Sequence, residues 1–363
     1  MRIGFVGWRG MVGSVLLQRM LAEQDFQGLE PTFFSTSSPG GPGPDVGHGA
    51  TVLADATNLE ALGRLPVIVS CQGGDYTKSV YPALRSSGWS GIWVDAASAL
   101  RLDADAMIVL DPVNGTEIRD ALHAGTRTFV GANCTVSLLL MGLIGLIRTG
   151  HVQWISTMTY QAASGAGARQ MAELVAQMRH IGSTSDPNAA ALELDRQVAD
   201  ALLSPSFPTA ALGVPLAGSA LPWIDRLVEG GQTREEWKAQ VEANKLLARD
   251  TVLPIDGVCV RIGAMRCHAQ AVTIKLDRPM SPAEVAEHIR GAHPWVEVVP
   301  NTPEDTLARL TPAATAGSLT VPIGRLRPMT LGPDFYTAFT VGDQLLWGAA
   351  EPLRRFLRIL RES

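Results

Sequence analysis

The chain predicts an α/β protein in two parts: a doubly wound parallel sheet, then an α+β domain with a sheet of its own. Three observations carry this. Short β-rich runs alternate with helical patterns through the first third, which is the signature of strands joined by crossover helices. The pattern breaks at Cys134, where a long apolar helix begins. Two long strand-like runs, Val258–Met265 and Ala269–Leu276, then lie outside any such alternation. A length of 363 residues suits two cores better than one.

Taken in order, Arg2–Val6 is an apolar, branched strand, followed by glycines and an amphipathic stretch from Met11 to about Gln24. Thr32–Ser35 reads as a second strand, and Pro39–Gly49 as a Gly/Pro-rich loop. Further strands are expected at Val67–Cys71, Ile92–Val94, Met107–Leu110 and Thr128–Val130. The helix Val136–Ile147 leads to a strand at Trp154–Tyr160, a loop of small residues at Ala162–Ala168, and a helix from Arg169. A polar break follows between Ile181 and Pro187. Asp343–Arg361 is helical, with basic residues in its last turns, and is expected to return to the first domain. The expected domains are 1–133, completed by 343–363, and 134–342.

Composition narrows the function. A net charge of −5 with no large single-sign block argues against a nucleic-acid surface, so an anionic substrate would need a local cationic pocket. The opening residues are broken by glycines and charges, unlike a signal peptide. The apolar run around Val136–Ile147 is too short to span a bilayer. Cys71, Cys134, Cys259 and Cys267 lack metal-ligand spacing, so no metal is expected, and free thiols in the cytoplasm are the expectation.

Gly7-Trp8-Arg9-Gly10-Met11-Val12-Gly13 stands where the first strand gives way to a helix. Glycines there permit a tight turn and let a pyrophosphate approach the helix N-terminus. The spacing, G-x-x-G-x-x-G, also fits an ordinary strand–helix turn. The end of the second strand separates the cofactors. An acid there would bind the ribose 2′-hydroxyl of NAD. This chain has Ser35-Thr36-Ser37-Ser38 instead, with Arg9 nearby, a donor set suited to the 2′-phosphate of NADP. Gln72, after the fourth strand, fits a ligand contact and a solvated loop amide equally.

Cys134, in Gly131-Ala132-Asn133-Cys134-Thr135, follows a strand and opens a helix. Helix N-terminal N–H groups lower a thiol's pKa and offer donors to an oxyanion. A thiol attacking a carbonyl needs a proton acceptor. Among seven histidines His268 is the candidate, in a segment that also holds Arg261 and Arg266; a structural histidine fits the position as well. Arg261 and His268 are an odd number of residues apart, so one regular strand would point them to opposite faces. A shared site requires a bulge or bend, with Gly263 the place for it.

Thr233 and Glu236 fit a capping box, and Glu235 and Lys238, three residues apart, share a helix face. Taken alone, that pair reads as a surface ion pair. Arg101, after Asp95-Ala96-Ala97-Ser98, reads as an anion ligand or a solvated loop charge.

With these segments in view, the chain resembles bacterial aspartate-semialdehyde dehydrogenase of the Gram-negative type, nearly end to end. The resemblance rests on GWRGMVGS, FFSTS, CQGGDYT, DAAS with Arg101, TFVGANCTVS, TYQAASGAGAR, REEWK, CVRIGAMRCH and FTVGDQLLWGAAEPLRR. It implies a Rossmann-type NADP-binding domain and an α+β domain carrying catalysis and homodimerisation. It implies reversible conversion of L-aspartate 4-semialdehyde, phosphate and NADP to 4-aspartyl phosphate, in lysine, threonine, methionine and diaminopimelate biosynthesis. By motif, Cys134 is the acyl-thioester nucleophile, His268 the acid/base, and Gln161 a catalytic and substrate-placing residue. Arg261 would clamp the substrate carboxylate and Glu235 its amino group. Arg101 and Lys238, with Asn133, would bind phosphate. Arg9, Gly10, Met11, Val12, Thr36, Ser37, Gln72, Ser164, Gly165, Pro187 and Gln344 would contact NADP. The segment after Arg179 is shorter than the family pattern, and Ala166 stands where glycine is expected.

Two alternatives share parts of this pattern. One is a related acyl-phosphate reductase resembling N-acetylglutamyl-phosphate reductase, whose acetylated substrate needs no acid such as Glu235. The other is a non-catalytic NADP-binding protein, which would have no reason to hold Cys134, His268, Gln161, Arg101 and Lys238 together.

Overall fold

The computed structural model describes all 363 residues, arranged around two seven-stranded sheets. The first comprises β1 (Arg2–Val6), β2 (Glu30–Ser35), β3 (Ala54–Asp55), β4 (Val67–Ser70), β5 (Ile92–Asp95), β6 (Ala106–Val109) and β7 (Thr128–Gly131). Their order is β3-β2-β1-β4-β5-β7-β6, and every pairing is parallel. A parallel sheet buried on both faces needs strands apolar on both sides. β4 illustrates this: Val67 and Val69 join one core with Leu16 and Met20 of helix Met11–Ala22, whereas Ile68 joins another with Val80 and Leu84 of helix Gly74–Ser86. The chain switches direction between β1 and β4, so a crevice opens beyond their C-terminal ends.

The second sheet comprises β8 (Val152–Gln161), β9 (Ala220–Leu221), β10 (Ile255–Ile262), β11 (His268–Leu276), β12 (Val296–Val298), β13 (Val321–Met329) and β14 (Gly332–Gly342). Its order is β12-β13-β14-β11-β8-β10-β9, with parallel and antiparallel pairs mixed. The helix Cys134–Ile147 is buried at nearly every position and shares one core with Ile155, Val272 and Ile274 of this sheet. Met158 and Val258, on the opposite face, are exposed.

Two elements differ from the sequence reading. The strand expected to reach Met265 ends at Ile262, and His268 opens β11. Arg261 and His268 therefore stand on different strands. The parity conflict disappears, and no bulge at Gly263 is required. The terminal helix, expected from Asp343, begins at Glu351, after a π-helical turn over Leu346–Ala350. Pro352, near the start of that helix, has no N–H to continue a regular ladder backward. The helix does return to the first sheet: Phe356 stacks on Phe129 of β7 at a 4.2 Å centroid distance, and Arg355 pairs with Asp111 at 2.6 Å. No helix is long and apolar enough to cross a membrane.

Candidate active site

Three adjacent strands bring three of the expected residues to one edge of the second sheet. β8 lies between β10 and β11, and Gln161 is in register with Arg261. One step beyond the pair Ala269–Tyr160, His268 falls opposite Gln161. Residues in register point to the same side, so Arg261, Gln161 and His268 share a face. All three are buried. The turn after β8 holds them: Ala162 N–H donates to His268 Nδ1 at 3.1 Å, and an Arg261 Nη donates to Ala162 O at 2.8 Å. Gly165 completes this turn. A β-carbon there would stand 3.0 Å from His268 Nε2 and 2.8 Å from Arg261 Nη1, so only glycine leaves room for both side chains.

Cys134 is the first residue of helix Cys134–Ile147, and Asn133 caps it. The Asn133 Oδ1 accepts from the N–H of Thr135 at 2.9 Å and of Val136 at 3.2 Å, which fixes the chain direction at the thiol. Gly348, in the π-helical turn, lies against Cys134; a β-carbon on it would stand 2.5 Å from Cys134 Cβ. The expected lowering of the thiol pKa is not what the surroundings give. Burial pushes the Cys134 thiol up to about 12, and Glu235 adds to this, while Arg101, Arg261 and Lys238 pull the other way. Burial likewise drives the His268 imidazole down to about 3, helped by the charge of Arg261. Both shifts favour the neutral forms.

The opposite wall is the helix Arg234–Leu247. Its start is the expected capping box: Glu236 N–H donates to Thr233 Oγ1 at 3.3 Å, and Thr233 N–H to Glu236 Oε2 at 2.7 Å. Glu235 and Lys238 form an ion pair at 2.9 Å, but a buried one rather than a surface one. Burial opposes ionisation of Glu235; the charge of Lys238, with hydrogen bonds from Lys238 and Asn133, outweighs it and holds the carboxyl below its usual range. Asn133 Nδ2 donates to Glu235 Oε1 at 3.1 Å. Arg101 is buried as well, not a solvated loop charge: its Nε donates to Gly131 O at 2.7 Å. Cys134, Gln161, Arg261, Glu235, Lys238 and Arg101 line one cleft of about 340 Å³, together with Asn133 and Gly165.

The expected dinucleotide residues form a second cleft of about 290 Å³, lined by Arg9, Gly10, Thr36, Ser37 and Gln72. Gly7 turns there with a positive φ of 76°, and a β-carbon on Gly13 would stand 2.3 Å from Gly7 O, so the glycines serve a tight turn and a close helix–strand approach. Met11 and Val12 open the helix that points at the cleft. Ser35 Oγ accepts from the N–H of Ser37 and Ser38, turning the hydroxyl run outward, and Arg9 lies over the Trp8 ring with its guanidinium 3.4 Å from Ser38 Oγ. No carboxylate lines this cleft, so the residues present fit a dinucleotide with a phosphorylated ribose. Ser164 and Gln344 are buried and bonded to one another, and Gln344 Oε1 accepts the Cys267 N–H at 2.8 Å. Pro187 sits on an exposed turn and lines neither cleft.

Several residues in or behind the active-site cleft were not anticipated. Asp225, with a φ of 71°, pairs with Lys238 at 3.3 Å. Glu242 accepts from Arg101, and its position was readable: with Glu235 and Lys238 it continues a stripe at i, i+3 and i+7 of one helix. Gly348 had no readable signal, because the π-helical turn that carries it was not foreseen. Chemically, the cleft gathers a thiol at a helix start with three cationic groups, Arg101, Lys238 and Arg261, and an imidazole lies beside Gly165 in its wall, a combination suited to acyl transfer to and from an anionic leaving group.

Residues 2–121 match the family model described as semialdehyde dehydrogenase, NAD binding domain, and residues 143–347 the one described as semialdehyde dehydrogenase, dimerisation domain. The chain is 43% identical to aspartate semialdehyde dehydrogenase from Francisella tularensis, with a TM-score of 0.96 over 99% of this chain and 100% of that one. Two more distant structures share the fold. One is aspartate semialdehyde dehydrogenase II from Vibrio cholerae complexed with ASA, at 20% identity and TM-score 0.80 over 100% of this chain and 98% of that one. The other is the Candida albicans aspartate semialdehyde dehydrogenase with NADP, at 16% identity and TM-score 0.65 over 99% and 98%.

Proposed function

The chain belongs to the aspartate-semialdehyde dehydrogenase family, and from that premise we propose that it reduces L-4-aspartyl phosphate reversibly to L-aspartate 4-semialdehyde through a thioester on Cys134, with the NADP cofactor in its reduced form, NADPH, as hydride donor. The supporting observation is the convergence of Cys134, Gln161, Arg261, Glu235, Lys238 and Arg101 on one cleft beside His268. The substrate's carboxylate meets the Arg261 guanidinium, whose fork matches two oxygens. Its ammonium meets Glu235, and Gln161 seats the reacting carbonyl. Arg101 and Lys238, with Asn133, face the phosphoryl group.

The Cys134 sulfur attacks the acyl carbon, and its proton leaves on the departing phosphate, while the Nε2–H of His268 donates to the carbonyl oxygen as negative charge develops there. The carbon–oxygen bond to phosphate breaks, phosphate departs toward Arg101 and Lys238, and the acyl group stays on sulfur. When bound, NADPH supplies the hydride that reduces this carbonyl. Hydride addition leaves an oxyanion that breaks its carbon–sulfur bond to release the aldehyde, and the proton the sulfur recovers is delivered from His268 Nε2 and replaced from solvent. Arg9, Gly10, Met11, Val12, Thr36, Ser37 and Gln72 would hold the dinucleotide, with Ser164, Gly165 and Gln344 as its contacts near the reacting end; Pro187, outside both clefts, is not counted among them.

On this reading the protein serves the cytoplasmic biosynthesis of lysine, threonine, methionine and diaminopimelate. It works as a homodimer, the second copy covering the sheet face on which Met158 and Val258 are exposed. The domains divide at residues 133 and 134, with 343–363 returning to the first. Following NADPH formation from aspartate semialdehyde with and without phosphate tests the reaction. Phosphate-dependent turnover is expected, and turnover indifferent to phosphate would sink the acyl-phosphate reading.

A further inference from the structure

Glu242 is a buried carboxylate that touches no substrate position, yet two residues of the phosphate side of the cleft rest on it. It is 2% exposed. Arg101 Nη1 donates to both of its oxygens at 3.3 Å, and the backbone N–H of Asn133 donates to Oε2 at 3.2 Å. The rest of Arg101 is held by main chain: Nε by Gly131 O at 2.7 Å and Nη2 by Ala132 O at 3.3 Å. These carbonyls belong to the end of β7 and the residue after it, whereas Glu242 comes from helix Arg234–Leu247.

The same helix grips Asn133 a second time through Glu235, two turns earlier. Asn133 is thus fixed at its N–H by Glu242 and at its amide by Glu235, while its Oδ1 caps the helix that Cys134 opens. An unpaired guanidinium in a buried site is costly, and a side chain without charge would leave Arg101 free to turn toward other acceptors. A carboxylate two turns from the substrate acid satisfies it in one orientation.

Resting on the proposed reaction, we infer that Glu242 is a positioning residue: it aims Arg101 at the phosphate that attacks or leaves the thioester, and through the Asn133 N–H it fixes Arg101 relative to the Cys134 helix start. Phosphate is recognised through the Arg101 fork, so misaiming that fork weakens phosphate selectively and leaves the amino-acid and dinucleotide contacts in place.

The test uses the full-length enzyme in the oxidative direction, with inorganic phosphate varied against fixed aspartate semialdehyde and NADP. Glu242→Gln keeps the shape but presents an amide NH2 to one of two donors. It is expected to raise the KM for phosphate about tenfold or more, as loss of a charge-assisted hydrogen bond does, with the KM for NADP within about threefold of wild type. Glu242→Asp, which keeps the charge, is expected to fall between the two, and it carries the test if the glutamine variant does not fold. A phosphate KM within twofold of wild type in folded Glu242→Gln would overturn the inference. So would a lowered phosphate KM, or a uniform loss of kcat that merely follows a fall in Tm. Wild-type enzyme without phosphate-dependent turnover would instead overturn the proposed reaction.

Discussion

The backbone N–H of Ala162 donates to Nδ1 of His268 at 3.1 Å. Nδ1 is thereby an acceptor, so the proton of the neutral ring stands on Nε2, which has no partner within the protein. Nitrogen-15 NMR of the histidine rings, without substrate at pH 7.5, should show His268 as the Nε2–H tautomer. An Nδ1–H signal would show that the Ala162 contact does not form.

The same ring makes the fold acid-sensitive. Its pKa is lowered by burial, and by Arg261, to about 3, against about 6.5 in the unfolded chain. Below that unfolded value the unfolded state binds a proton that the folded state refuses. The contribution is therefore complete above pH 6.5 and is lost as pH falls toward 3, by at most about 1.4 kcal/mol per pH unit. Chemical denaturation at pH 8 and pH 5 should show a smaller loss of stability in His268→Gln than in wild type. Equal losses would mean that His268 does not titrate this way.

Cys134 titrates in the opposite sense. Burial raises its thiol to about 12, so little thiolate exists near pH 7 in the free enzyme. Alkylation by iodoacetamide should accelerate steadily from pH 7 to 10, without a plateau near neutrality. A rate already level at pH 7 would indicate a preformed thiolate. Cys134→Ala should abolish turnover while NADP binding persists; retained reductase activity would exclude the thioester route.

Gly165 separates His268 from Arg261. In Gly165→Ala the new methyl would enter the space 3.0 Å from Nε2 and 2.8 Å from Nη1. Both side chains are buried and cannot swing into solvent. kcat/KM for the semialdehyde is expected to fall about a hundredfold, since small displacements of positioned groups carry costs of that order. Wild-type kinetics in this variant would show that the turn yields.

Arg9 faces the hydroxyl run Ser35–Ser38 across the dinucleotide cleft. Arg9→Ala should raise the KM for NADP about tenfold or more, the scale of one charge-assisted contact, and change that for NAD far less. Equal effects on both cofactors, or a wild-type preference for NAD, would refute the 2′-phosphate assignment.

The first sheet was largely legible because its strands are short apolar runs between helices, and β1 begins and ends at the expected residues. The glycine turn and Cys134 were legible because each marks a strand–helix junction. The relation of Arg261 to His268 was not. Their separation suggested one strand, whereas a turn at residues 263–267, with Cys267 at a φ of 72°, places them on strands either side of β8. Strand adjacency is a property of topology, and spacing along the chain does not report it. The thiol pKa was misjudged for a related reason. The helix start was visible in sequence, but neither the burial to which Gly348 contributes nor the charge of Glu235 was, since both arrive from distant segments.

The return of helix Glu351–Glu362 to β7 has a kinetic meaning. Phe129 lacks its stacking partner Phe356, and Asp111 its partner Arg355, until helix Glu351–Glu362 has been made. During synthesis the first sheet must therefore wait, with part of its apolar face bare, while the whole second sheet is made. Its closure joins residues 244 apart in sequence, a long-range contact that is slow to form and exposed to aggregation in the interval. Truncation after about residue 342 should therefore leave a nascent product that chaperones hold and that does not fold alone.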